Sequence, residues 1–309
     1  MLIDNDFNFN IIIMKGDSLK INTGTYMVNI GKILKIIILI LTGLIVLLAI
    51  FFKIPYSSLK SEFKKDFNSL VKTNNKGVLT KEDYESYPLA IQNYIENNGF
   101  IGKKNMNYCF IEYKDVNFAQ SHEKRLKINY SQYNFSNQAN RIALINSSIM
   151  GIPFEGYDYY LNGKGGMVGM VGKLFKVFDV KGPDMDKGAL CTYLSECLFV
   201  PSSILNNPNI TFEEINPYNI KATITDNEIS VSGIFTFNEN YEITKFYTED
   251  RPQAQNDGTI RYVPWSANIL SYKKTPDGIN FIDHVQIIWH YPEGDLIYFD
   301  GNLSQVLFK

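Results

Sequence analysis

Residues 36–52, IIILILTGLIVLLAIFF, hold no charged side chain, and 14 of the 17 are Ile, Leu, Val or Phe. At roughly −0.3 to −0.6 kcal/mol apiece, these contribute about −4 to −8 kcal/mol to bilayer insertion. Taken from Ile33 to Ile54, with Lys35 and Lys53 reaching toward the headgroups, a helix here is about 33 Å long, against a hydrocarbon core of roughly 30 Å. The rival is a cleaved signal peptide, which calls for a shorter apolar core and a small-x-small cleavage pattern; none follows Ala49. No cysteine closes the run to carry a lipid. The reading is an uncleaved single-pass anchor over 33–54 behind a leader, 1–32, with Met27 an alternative start to Met1. Thr42 is the only polar side chain within residues 36–52, which gives no ion path or proton relay.

The lysines after the span, from Lys53 to Lys72, slightly outnumber Lys20, Lys32 and Lys35 before it, which leans toward a cytoplasmic C-terminal domain. Against that, a single N-terminal span with a short leader acts as a signal anchor that sends the following domain outward. The expectation is a bacterial cell-membrane protein with an extracytoplasmic domain. Four arginines among 30 basic residues, with many Asn and Ile, reflect an A/T-rich bacterial genome. A net charge of −2 gives no field for nucleic acid.

Behind the anchor, SSLKSEFKKDFNSLV sets Leu59, Phe63, Phe67 and Leu70 at helical spacing, an amphipathic helix that packs on the domain as a stalk or lies on the bilayer. With the turn-rich TNNKG it makes a juxtamembrane segment, 55–85. Tyr87-Pro88 then opens a short helix with Ile91, Tyr94 and Ile95 on its apolar face, stopped by Asn97-Asn98-Gly99.

From Asn107 the period changes to two. About eleven strand candidates follow, joined by short Ser-, Asn-, Gly- or Pro-containing turns. One helix over 186–198 interrupts them, with Asp186 as N-cap and Ala189, Leu190, Tyr193, Leu194 and Cys197 as its buried stripe. So many antiparallel strands do not stay flat. The predicted fold for 86–309 is mainly β (α+β): a large curved antiparallel sheet or half-barrel with a covering helix, preceded by one transmembrane helix.

LNGKGGMVGMVG, 161–172, is not a phosphate loop. Gly172-Lys173-Leu174 lacks the upstream glycine and the hydroxyl of a P-loop, and Val168 stands where a dinucleotide fingerprint needs glycine. Two readings stay open: a bent strand packed in the core, or one wall of a hydrophobic ligand cavity. On the second, Met167, Met170 and Phe178 join Tyr193, Trp265 and Trp289 as candidate ligand-binding residues. Glu196 and Arg251 are candidates for a structural ion pair pinning helix to sheet.

No catalytic or metal residues and no cofactor are expected. Cys109, Cys191 and Cys197 are too scattered for a zinc cluster or a disulfide framework. His284 and His290, six apart on a strand, stand about 20 Å apart, too far to share a metal. There is no G-x-S-x-G elbow.

Several motifs together carry a resemblance. They are Tyr87-Pro88 with Tyr94; Asp158-Tyr159 with Gly163, Gly165 and Met167; Leu190, Tyr193-Leu194 and Glu196 before Pro201; Arg251-Pro252; Pro264-Trp265; and Trp289. In this order they resemble a family of uncharacterised, membrane-anchored bacterial proteins with a domain of unknown function. That family is similar in expected architecture to the periplasmic lipoprotein carriers, whose curved sheet holds acyl chains against a helical lid. Thr192 departs from the pattern, which has a basic residue there. The resemblance brings no activity. Two functions follow: a domain that binds a lipid or other hydrophobic ligand between sheet and helix, or a non-catalytic scaffold for envelope proteins. In both, the lipid bilayer is a partner.

Overall fold

The computed structural model describes residues 23–71, 77–254 and 259–309. It divides into two units, one ending at Ile54 and one running from Pro55 to Lys309. The start of the leader and residues 73–76 of the predicted linker lie outside the described residues. In the first unit, α1 (Thr23–Lys53) is a single helix, and every residue from Gly31 to Ile50 is exposed. It is long and apolar enough to cross a membrane.

The second unit begins with α2 (Ser58–Leu70), whose N-cap Ser57 accepts from the Lys60 amide. Leu59, Phe63, Phe67 and Leu70 form the predicted apolar face. It packs on Phe135, Ile142, Leu144, Tyr157, Val168 and Met170, a core of its own on the outer side of the sheet. Polar contacts fix the register: Lys60 pairs with the buried Glu155 at 3.0 Å, and the Tyr157 hydroxyl donates to Asp66 at 2.6 Å. Next, α3 (Leu89–Asn97) starts after Pro88 and buries Ile91, Tyr94 and Ile95, as its spacing predicts.

Thirteen strands make one antiparallel sheet. The first six are consecutive hairpins: β1 (Tyr108–Ala119), β2 (Arg125–Phe135), β3 (Arg141–Ile149), β4 (Ile152–Leu161), β5 (Lys164–Val171) and β6 (Phe175–Lys181). After a helical insertion come β7 (Ile210–Asn216), β8 (Asn219–Asp226), β9 (Ile229–Phe237) and β10 (Ile243–Thr248). A small separate ribbon, β11 (Pro252–Ala254) and β12 (Ile260–Tyr262), precedes β13 (Trp265–Lys274), β14 (Asn280–Tyr291) and β15 (Gly294–Phe308). The order is β6-β5-β4-β3-β2-β1-β15-β14-β13-β10-β9-β8-β7, so the last strand closes the middle of the sheet and β6 and β7 are its edges. The sheet curls without closing. Its two wings meet where the Tyr160 hydroxyl of β4 donates to Asp226 of β8 at 2.7 Å.

The insertion carries the covering helix, α4 (Pro183–Ser195), and a short α5 (Ser202–Asn206). Ala189, Leu190, Tyr193, Leu194 and Cys197 are all buried, which bears out the predicted stripe. Two details differ. The helix starts three residues earlier, with Pro183 at its first turn, so Asp186 is not the N-cap; it lies buried and accepts from the Gly165 amide at 2.7 Å and from Lys164 at 2.9 Å. Cys197 falls in the 3-10 turn after the helix. Among the strands, β7 went unread because ITFEEIN is an exposed edge with two adjacent glutamates. Val263-Pro264 separates β12 from β13, so the two do not run on as one strand.

The glycine-rich run is β5 and its turns. A Cβ on Gly165 would stand 2.3 Å from the Met185 carbonyl oxygen, so only glycine lets α4 lie this close to the strand.

Candidate functional site

A cavity of about 180 Å³ lies between α4 and the concave face of the sheet. Its floor follows from strand alternation: Trp265, Ala267 and Ile269 project from β13, and Val285 and Ile287 from β14. A register slip opposite Ile287 and Ile288 gives β15 an extra residue there, and both Tyr298 and Phe299 reach the cavity. Tyr113 and Phe118 of β1 complete the aromatic wall, while Met185, Thr192, Ser195, Glu196 and Phe199 cover it from the helical side.

One end of the cavity is polar. Arg141 on β3 is 2% exposed and fully engaged. Its Nε donates to Glu196 and its Nη1 to Asp158, both at 2.9 Å, and its Nη2 donates to the Tyr130 hydroxyl. Burial opposes the guanidinium charge, but the Tyr130, Glu196 and Asp158 partners outweigh it and hold the pKa well above the usual arginine value. Burial pushes the Tyr130 phenol well up, against the lowering effect of the Arg141 charge. Asn134 donates to the same Glu196 oxygen at 2.8 Å and accepts from Gln132 at 3.0 Å.

Arg251 is the second cation of the cavity, and its partners are neutral. Its guanidinium lies 5.0 Å from the Trp265 ring centroid and 5.7 Å from that of Trp289, and Nη1 donates to the Gly188 carbonyl and the Thr192 hydroxyl of α4. The buried Nε has no acceptor among the described residues. The Thr192 hydroxyl thus receives an arginine from the segment between β10 and β11.

The expected residues divide. Met167, Trp265, Glu196 and Arg251 line the cavity, and Trp289 stands behind Arg251, stacked on Tyr298 with ring centroids 6.0 Å apart. Met170 lies on the opposite face of the sheet, under α2, where its sulfur accepts from Ser58. Phe178 covers Gly169 and packs against Phe154 without reaching the cavity. Tyr193 is core, its hydroxyl donating to the Phe135 carbonyl at 3.1 Å. Glu196 and Arg251 do not pair with each other: Glu196 takes Arg141, a residue that the sequence reading missed. The signal was present, since alternation places Arg141 on the same inward face as Ala143 and Ile145.

Ser266, His290 and Asp295 form a relay on the other face of β13. Ser266 Oγ lies 2.9 Å from His290 Nε2, and His290 Nδ1 lies 2.9 Å from Asp295. The distances suit nucleophile activation. Ser266 is 0% exposed, however, so its hydroxyl meets no substrate in this fold. His284 instead shares Asp300 with Gln286, at 2.6 and 3.0 Å. Among the described residues, no three His, Cys, Asp or Glu side chains converge as a metal ion requires.

Residues 77–301 match the model of DUF6544, a family of unknown function, and the chain belongs to that family. Among solved structures the chain is similar to a putative outer membrane lipoprotein-sorting protein domain from Vibrio parahaemolyticus, at 10% identity over 71% of this chain and 91% of that one, with a TM-score of 0.40. A DUF1329 family protein from Desulfovibrio piger is similar at 10% identity over 75% and 94% of the two chains, with a TM-score of 0.38. No curated protein matches the chain.

Proposed function

We propose that this member of the DUF6544 family is a membrane-anchored envelope protein whose domain shelters an apolar ligand, such as part of an acyl chain, between α4 and the curved sheet. One observation carries the reading: an aromatic and aliphatic cavity of about 180 Å³ with a polar end. A cavity of roughly 150 Å³ lined by aliphatic and aromatic side chains stays dry and accepts benzene, whereas pockets for drug-sized ligands span roughly 300–1,000 Å³. The space therefore suits a chain end or a small ring. Burial contributes about 25 cal/mol per Å² of apolar surface without any catalytic group. The unpaired Arg251 Nε supplies a donor for a ligand oxygen, and Trp265 and Met167 supply apolar walls. The long exposed α1 supports anchorage in the bacterial cell membrane, and a single N-terminal span favours an extracytoplasmic domain.

The test is mass spectrometry of the full chain after extraction in mild detergent, beside a cavity-filling variant, Ala267→Phe. A hydrophobic molecule bound to the wild type and lost from the folded variant is the expected result. An empty wild-type cavity, or the same molecule retained in the variant, would overturn the ligand reading.

A further inference from the structure

Two neighbouring hairpin tips present hydrophobic side chains to solvent. The β3–β4 tip exposes Ile149, Met150 and Ile152, and the β5–β6 tip exposes Leu174, Phe175 and Val177. The Gly172 amide donates to the Pro153 carbonyl at 2.7 Å, so the tips stand side by side. The sequence places apolar groups here against local preference. Met150 has φ +50° and Gly151 φ +83°, a two-residue turn in which Asn-Gly or Asp-Gly is favoured. A methionine 99% exposed at such a position serves neither the turn nor the core. Phe175, 70% exposed on the edge strand, adds the largest ring. Clusters of this kind mark contact with a protein or a membrane.

The entry of the chain into the domain favours the membrane. Ser57 and Leu59 are buried against the sheet, Ser58 donates to Met170, and Lys60 pairs with Glu155. Glu155 and Met170 face each other across β4 and β5, and the next pair outward, Phe154 and Val171, leads into the two tips. The other end of α2 reaches Phe135, beside the opposite turn of the sheet. The first residues of the domain thus lie at the tip end. In sequence, Ser57 follows Lys53 by four residues, at most about 14 Å of extended chain. A bilayer that takes up the apolar helix is therefore within reach of this end of the domain.

We propose that the paired tips of β3–β4 and β5–β6 insert into the interfacial layer of the lipid bilayer, giving the domain a second membrane contact. The proposal rests on the anchored reading above. It orients the domain on the membrane surface, which an anchor alone leaves free to swivel.

The test uses the full chain reconstituted in vesicles of phosphatidylcholine and phosphatidylglycerol. An environment-sensitive thiol dye is placed at Met150→Cys, at Phe175→Cys and, as a control, at Asn68→Cys on the exposed side of α2 near its far end. The native cysteines are all buried and do not compete. The expected result is a blue-shifted emission at 150 and 175, at least halved by lipids carrying a spin label high on the acyl chain, with neither effect at 68. Unfolding midpoints equal to wild type would show that the exposed substitutions leave the fold intact. A chain that floats with the vesicles while its tip dyes match position 68 would overturn the proposal and leave the anchor standing. A chain that does not float would overturn both. Tip dyes that shift on self-association without lipid quenching would assign the patch to a protein partner and also overturn it.

Discussion

Arg141 Nε donates to Glu196 at 2.9 Å, tying the third strand of the sheet to the residue that ends the covering helix. Removing one member of a buried pair strands the other without a partner. Arg141→Met is expected to destabilise the domain by about 3–5 kcal/mol. Glu196→Gln, which keeps a carbonyl acceptor, is expected to cost less. A double-mutant cycle in urea checks this, and the two losses are expected to be non-additive because the side chains touch.

Gly165 and Gly169 separate two uses of glycine. A Cβ at 165 meets the Met185 carbonyl, part of a helix backbone, whereas at 169 it meets the Phe178 ring, which rotates. Gly165→Ala is therefore expected to lower stability by about 1–3 kcal/mol, and Gly169→Ala by less. Thermal unfolding of the two variants distinguishes them.

Burial pushes the Cys191 thiol up to about 12, and the same cause raises Cys109 and Cys197. At pH 8 all three remain protonated in the native state, and a thiol reagent is expected to label none of them until the protein unfolds. The sign for stability follows. The folded state disfavours the thiolate, so this contribution is complete below the unfolded value of about 8.5 and is lost as pH rises toward the folded value. The buried Tyr94 and Tyr113, also raised by burial, act in the same direction at higher pH. Urea midpoints are expected to fall above about pH 9.

Much of the architecture was legible because it rests on periodicity. The α2 face, the α4 stripe and most strands followed from apolar spacing, and curvature followed from strand number. What was not legible depended on which face a residue serves. Met167 and Met170, three apart on one strand, alternate onto opposite faces of the sheet, and what spacing did not show is that α2 gives the outer face a core of its own. Arg141 shares a face with Ala143 and Ile145 by alternation, but both faces of β3 are buried, so alternation alone did not say that this face borders the cavity.

The Ser266–His290–Asp295 relay is expected to be inert. A fluorophosphonate probe should leave the native protein unlabelled, since Ser266 has no exposed surface. Stoichiometric labelling of Ser266 would require an opening that exposes the hydroxyl and would reopen the case for a hydrolase.

The central claim is that the cavity under α4 takes an apolar chain. The two tryptophans of the sequence report on it directly, since Trp265 lines the cavity and Trp289 lies behind Arg251. Titration of the full chain in nanodiscs with a bromine-labelled fatty acid, following tryptophan emission, is the most direct test. Saturable quenching at one equivalent, abolished by Ala267→Phe, is the expected result. Linear, unsaturable quenching that is identical in wild type and variant would contradict it.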